Sequence, residues 1–362
     1  MSHPFKKAPD RSFWSRAVSG RRLGPKDDIS RSSFKIAPSD RVATAGSCFA
    51  QHVSRYLSTI GIQPFRTERP HQLVADQADS YLYNVYPARF GNIYTARQLK
   101  QLLLRAYGNF KPAENIWVSP AGLYTDPYRP GIPEGFTSEE ELLRDQEQHF
   151  RSVRKMFEDL NVFVFTLGLT EGWISRKDGA CFPSCPGTMA GQFNEDEHAF
   201  INFSVIEVIE DLKDFIDRLR DINPECRIIL TVSPVALVAT ATGEHVLVAN
   251  TYSKSVLRVA AQEICLKYNR VDYFPSFEII NNPSARGAYF TSDSRGVTDE
   301  GVAVVMSTFS HSYGLDSIDL PLQEVPFGSD AIKAQDEIAE ASLQMNIVCE
   351  ELNNDSNFDS KP

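Results

Sequence analysis

The sequence predicts an α/β protein: a mostly parallel sheet with helices on both faces. Three observations predict it. Four segments, residues 41–45, 162–167, 227–232 and 271–274, are short, rich in β-branched or aromatic residues, and too brief for helices. Longer stretches with helical spacing lie between and around them, at 49–60, 96–107, 138–160, 204–222 and 253–268. The two kinds alternate, and parallel strands need long crossovers and bury both sides, which only a helix-covered sheet provides.

Taken in order, residues 1–38 form a polar, basic arm carrying Lys6, Lys7, Arg11, Arg16, Arg21, Arg22 and Lys26 beside Phe13 and Trp14, expected to be solvated. Residues 39–312 hold the alternating strand and helix signals and read as one large domain. Its helix boundaries carry capping chemistry, with Thr137 or Ser138 before the acidic run Glu139, Glu140 and Glu141, and Pro224 after the helix ending near Ile222. Two stretches break the alternation. Residues 112–133 contain five prolines together with Trp117, Tyr124 and Tyr128, and 172–202 is similarly irregular; both are expected to be ordered loops that shape a cleft. Beyond them, 313–352 is an extension whose 330–352 portion reads as an amphipathic helix, and 353–362 is a polar tail expected to be disordered.

Composition narrows the function classes. Of 362 residues 42% are hydrophobic and 23% charged, the balance of a folded protein. With 37 basic against 47 acidic residues the net charge is −10, which would repel a phosphate backbone, so nucleic acid is not an expected partner. No apolar run approaches the roughly twenty residues of a membrane helix, and the first residues lack a signal-peptide centre, so a cytoplasmic location is expected. The six cysteines are scattered; Cys181 and Cys185 lack a second pair to complete a zinc site, and neither metal nor cofactor is expected.

In open parallel sheets ligands bind beyond the carboxyl ends of the strands. The first strand runs into Gly46-Ser47-Cys48-Phe49-Ala50 and then a helix. A hydroxyl at that place lies among unpaired backbone amides that stabilise negative charge, which is how an exposed nucleophile is staged; the alternative is that Ser47 simply caps the helix. A Cys48 thiolate at the same terminus is a competing nucleophile.

Those five residues reproduce the signature of the GSCFA family, and the chain resembles that family in further segments in order: 92–97, 165–171, 231–234 and 252–255. The family resembles SGNH (GDSL-like) ester hydrolases. The resemblance implies a flavodoxin-like, SGNH-hydrolase-like sheet, Ser47 as nucleophile, and oxyanion donors from Ser47, Gly91 or Asn92, and the loop Gly168-Leu169-Thr170, where Thr170 stands in place of the usual Asn. It also exposes a departure. The Asp-x-x-His segment reads Asp293-Ser294-Arg295-Gly296, and glycine takes no proton. Of the seven histidines, His245, after the strand at 227–232, is the best placed base, with Asp293 to orient it.

The inserts add Trp117, Arg129, Trp173 and Glu171, with Tyr124, Tyr128, Phe182 and His198, a mixture suited to an acylated small molecule or carbohydrate and equally able to pack on itself. The leading expectation is a serine-dependent ester hydrolase or O-acyltransferase. The alternatives are a catalytically silent binding module and a Cys48-dependent thiol enzyme. The first requires the Ser47 oxygen to be exposed, with a proton acceptor in reach.

Overall fold

A computed structural model describes residues 3–21, 23–62, 64–72, 78, 81–133 and 135–315. After a short α1 (Trp14–Ala17), the chain runs β1 (Val42–Gly46), α2 (Cys48–Thr59), α3 (Ala96–Ala106), β2 (Trp117–Val118), β3 (Tyr124–Thr125), α4 (Glu139–Asp159) and β4 (Val162–Leu167). It continues through β5 (Glu171–Ser175), β6 (Cys181–Phe182), β7 (His198–Asn202), α5 (Val205–Ile222), β8 (Arg227–Val232), α6 (Val246–Lys267), β9 (Val271–Phe274), α7 (Ser276–Ile280) and α8 (Asp299–Tyr313).

The central sheet has the order β1-β4-β8-β9, every pair parallel, in register from Val42 opposite Val162 to Thr231 opposite Phe274. Side chains alternate along each strand, so each face has its own core. Ala43, Ala45, Phe163, Phe165, Ile228 and Leu230 pack under α3, α4, α5 and α6. Val42, Val162, Val164, Ile229 and Phe274 pack against α2, α7 and α8. The expected α/β class is therefore the one observed. Among the described residues no further strand lies beyond β1; instead the Phe65 and Ile93 amides donate to Val42 and Gly46 carbonyls at 3.2 and 2.9 Å.

Three expectations change. The stretch at 172–202 is not irregular: β5 is the centre of an antiparallel sheet ordered β6-β5-β7, and β2 with β3 makes a small hairpin in the other insert. Helix α6 begins at Val246, seven residues before the expected start, because His245 caps it. The basic arm is tied to the body: Ser33 donates through its amide and hydroxyl to Asp272, and Lys35 Nζ and the Ile36 amide donate to the Ser312 and Tyr313 carbonyls. The predicted helix over 330–352 and the tail 353–362 lie outside the described residues.

Candidate functional site

The carboxyl ends of β1, β4 and β8 bring three loops to one rim. Gly46 is required at the first. Its φ is +142°, and a Cβ there would lie 2.4 Å from the Thr166 carbonyl oxygen, so no other residue lets β1 leave the sheet so close to β4. The turn delivers Ser47 to the N-cap of α2, yet its side chain makes no capping bond. Its oxygen is buried and has no hydrogen-bond partner. Such a group is costly and rare, and it calls for an explanation other than helix capping. The Cys48 side chain lies outside the description.

Gly168 closes on the same point. A Cβ added to it would lie 3.4 Å from Ser47 Cβ and 3.1 Å from the Tyr94 carbonyl oxygen. The Gly168 and Leu169 amides both donate to that Tyr94 carbonyl, at 3.0 and 3.2 Å. Two successive residues of α6 hold the loop from the other side. Ser253 Oγ accepts the Thr170 amide at 3.0 Å, and Lys254 Nζ donates to the Gly168 carbonyl at 2.7 Å. Lys254 is 3% exposed, and among the described residues its ammonium meets no carboxylate. Burial, with the Arg295 charge adding to it, pushes its pKa down to about 7.

The expected catalytic partners are elsewhere. His245 is exposed, and its Nδ1 accepts the Leu247 amide at 3.2 Å as the cap of α6. Because Ser47 Oγ has no partner, no described histidine bonds it. Asp293 is exposed in a turn where its carboxylate accepts the Arg295 and Gly296 amides and the Thr291 hydroxyl, bonds that hold its pKa below the ordinary value; it orients no imidazole. The expected oxyanion donors are largely spent as well. The Gly168 amide serves Tyr94, and Thr170 Oγ1 donates to Asn202 at 2.6 Å. Asn92 accepts from the Tyr86 hydroxyl at 2.9 Å and donates to the Tyr94 hydroxyl at 3.2 Å. Oxyanion donors remain in the Cys48 and Phe49 amides at the start of α2, whereas the Ala50 amide already donates to the Ser47 carbonyl at 2.8 Å.

Beside this rim lies an open cleft of about 400 Å³, lined by Tyr94, Leu169, Glu171, Trp173, Phe200 and Leu237. Trp173 meets Phe193 and Phe200 edge-on. Glu171 lines the cleft, but its two oxygens accept the Thr240 hydroxyl and Ala241 amide, fixing the loop after β8. Trp117 does not reach it: the ring is buried against Phe182, over the space left by Gly191, and its Nε1 bonds Glu114. His198 is likewise closed, with both ring nitrogens bonded. Arg129 lies buried in an ion network on the far side of Asn92, where Nε and Nη2 bond Asp126 and Asp145 at 2.8 and 2.7 Å. Among the described residues no cluster of His, Cys, Asp or Glu suits a metal, and no helix is long and apolar enough to cross a membrane.

The residue that sequence reasoning missed is Lys254. The signal was present: Ala249, Ser253, Val256, Leu257, Ala260 and Ile264 mark the buried face of α6, and a lysine inside that stripe is out of place.

The family model described as GSCFA family matches residues 41–309. No curated protein matches the sequence. A solved structure described as "a putative platelet activating factor from Streptococcus pneumonia" is similar at 14% identity over 50% of this chain and 73% of that one, with a TM-score of 0.26.

Proposed function

The chain belongs to the GSCFA family, and from that premise we propose a serine-dependent ester hydrolase or O-acyltransferase in which Ser47 is the nucleophile and Lys254 accepts its proton. The observation that carries this reading is the unspent Ser47 hydroxyl, buried at the start of α2 and packed on the one glycine whose carbonyl holds the Lys254 amine. A neutral amine is a base; with a pKa near 7 the neutral form is available at physiological pH. His245 and Asp293 do not enter the mechanism.

In the first step Ser47 Oγ adds to the acyl carbon while its proton passes to Lys254 Nζ. The Cys48 and Phe49 amides at the start of α2 supply hydrogen bonds to the oxyanion. Collapse expels the alcohol, which takes the proton back from the ammonium. Water or a second hydroxyl then releases the acyl group by the same steps. Turnover requires Ser47 to be uncovered and to reach the amine, directly or through one water, because the two are not within hydrogen-bond distance. Trp173 and Phe200 in the cleft suit stacking on an acylated sugar or related small molecule.

A second reading is a binding module without turnover. It is favoured by one observation: the hydroxyl is closed off and no imidazole bonds it, while the cleft beside it is open. A fluorophosphonate probe separates the two. Labelling of the wild type that is lost in Ser47→Ala, with a rate rising through about pH 7 and suppressed in Lys254→Met, supports the enzyme. Label retained in Ser47→Ala overturns it. No labelling of the wild type, together with saturable binding of acylated sugars, supports the binding module.

A further inference from the structure

Behind Asn92 the inserts and α3 enclose a second, smaller space whose walls carry unspent hydrogen-bond donors. Arg105 and Arg129 are 8% and 3% exposed, and Arg105 Nε, Arg105 Nη2 and Arg129 Nη1 are buried without a hydrogen-bond partner. Both side chains line a cavity of about 30 Å³. A neighbouring cavity of about 60 Å³ shares Phe90, Asn92, Tyr128, Arg129 and Pro183 with it and adds apolar wall from Leu82 and Met189.

The charges around this space are unevenly compensated. Arg89 bonds Glu68 at 2.8 Å and Asp145 at 2.5 Å, and Arg129 bonds Asp126 and Asp145. Among the described residues the one counter-charge of Arg105 is Asp126, at 3.8 Å, beyond hydrogen-bond range and already committed to Arg129. Its guanidinium carbon instead lies over the Tyr128 ring, 3.7 Å from the centroid, a contact that uses none of its N–H groups as hydrogen-bond donors to an acceptor atom. A buried cation without a hydrogen-bonded counter-charge is the costly half of an ion pair.

We propose that this space is a binding site for a small carboxylate, held by the unspent N–H groups of Arg105 and Arg129, with the carbon skeleton lying in the adjoining apolar cavity. Every free group is a donor, so the ligand must bring acceptors. Two guanidinium forks suit the two oxygens of a planar carboxylate. Arg129 is already answered by Asp126 and Asp145, so the uncompensated charge is that of Arg105, which matches a singly charged carboxylate and not a doubly charged phosphate or sulfate. The adjoining cavity is lined by Asn92 and by Tyr94, whose own carbonyl holds Gly168, so a ligand anchored here by its carboxylate has its remainder near the Ser47 rim. The binding site stands on these arginines alone and does not depend on turnover at Ser47.

The test is calorimetric titration of the full chain with acetate, acetamide and inorganic phosphate at fixed ionic strength, alongside thermal melts. Acetate is expected to bind saturably and raise Tm, while acetamide and phosphate give no saturable heat. Arg105→Met is expected to weaken acetate by about tenfold or more, the size of a lost charge-assisted hydrogen bond. Arg105→Lys, which keeps the charge and loses the fork, is expected to be weakened as well, and it serves if Arg105→Met fails to fold. Acetate heat no greater than that of chloride, acetamide or phosphate binding as well as acetate, or undiminished acetate binding in a folded Arg105 variant each overturns the site. These outcomes leave the Ser47 labelling result untouched, so the two proposals fail separately.

Discussion

Two buried polar regions of this protein are built on opposite terms. Around Glu68 almost every group is answered: its carboxylate accepts the Arg89 amide, Arg89 Nε and His149 Nδ1, and Asp145 joins Arg89 to Arg129. At the Ser47 rim a hydroxyl has no partner and a lysine has only a carbonyl. A satisfied network fixes the placement of residues 64–72 against α4, whereas unsatisfied groups cost stability and persist where they serve something else. Substitutions should therefore move stability in opposite directions in the two regions.

The largest effect belongs to the network. Burial opposes charge on both Glu68 and His149; the adjoining His149 imidazole first and Arg89 second hold Glu68 well below the ordinary carboxylate range, while burial and Arg129 push the His149 pKa down. Glu68→Gln leaves Arg89 with Asp145 alone and should destabilise by about 3–5 kcal/mol, read by denaturant unfolding. A loss under about 1 kcal/mol would mean that the network is decoration and would break the contrast.

At the rim the sign reverses. Lys254→Met keeps the stem's packing and removes the buried amine, and should stabilise at pH 7 by on the order of 1–3 kcal/mol while suppressing probe labelling. The pH dependence is specific. The folded pKa, about 7, lies below the ordinary 10.5. Below about 7 both states carry the proton and the burial penalty is complete. Between about 7 and 10.5 the unfolded chain binds more proton than the folded one, so wild-type stability rises with pH relative to the variant. The advantage of Lys254→Met should shrink across that window, and a pH-independent difference would place the amine in water. Ser47→Ala is the smaller counterpart at this rim: removing an unpartnered hydroxyl should change stability by less than about 1 kcal/mol, or raise it, even as the label disappears.

Much of the fold was legible because the strand signals are local: four short apolar runs became four parallel strands, three of them with the expected limits. The insert sheet was not legible, since β5, β6 and β7 pair antiparallel through contacts set by the chain's return, and Cys181-Phe182 is too short to announce a strand. For the site, Gly46 and Ser47 could be read from spacing because one turn determines them. The proposed base could not. His245 was placed by its position after a strand, but the loop carries it into solvent, and the amine that reaches the rim, Lys254, lies more than two turns into α6. Trp117 misled for a related reason: an aromatic in an irregular stretch looks available until the Gly191 backbone closes over it.

The smallest expected effect separates a cap from a base. His245 Nδ1 accepts the Leu247 amide at the start of α6, a role that Asn fills as well through its side-chain oxygen. His245→Ala should cost about 1 kcal/mol, and His245→Asn should cost almost nothing. Neither should alter labelling at Ser47, because the imidazole does not bond that oxygen. The pair of variants decides between roles because capping survives the Asn substitution and proton transfer does not. A His245→Asn protein with wild-type melting but lost labelling would restore His245 as the base, require the loop after β8 to close over the rim, and make the Lys254 amine a support for Gly168.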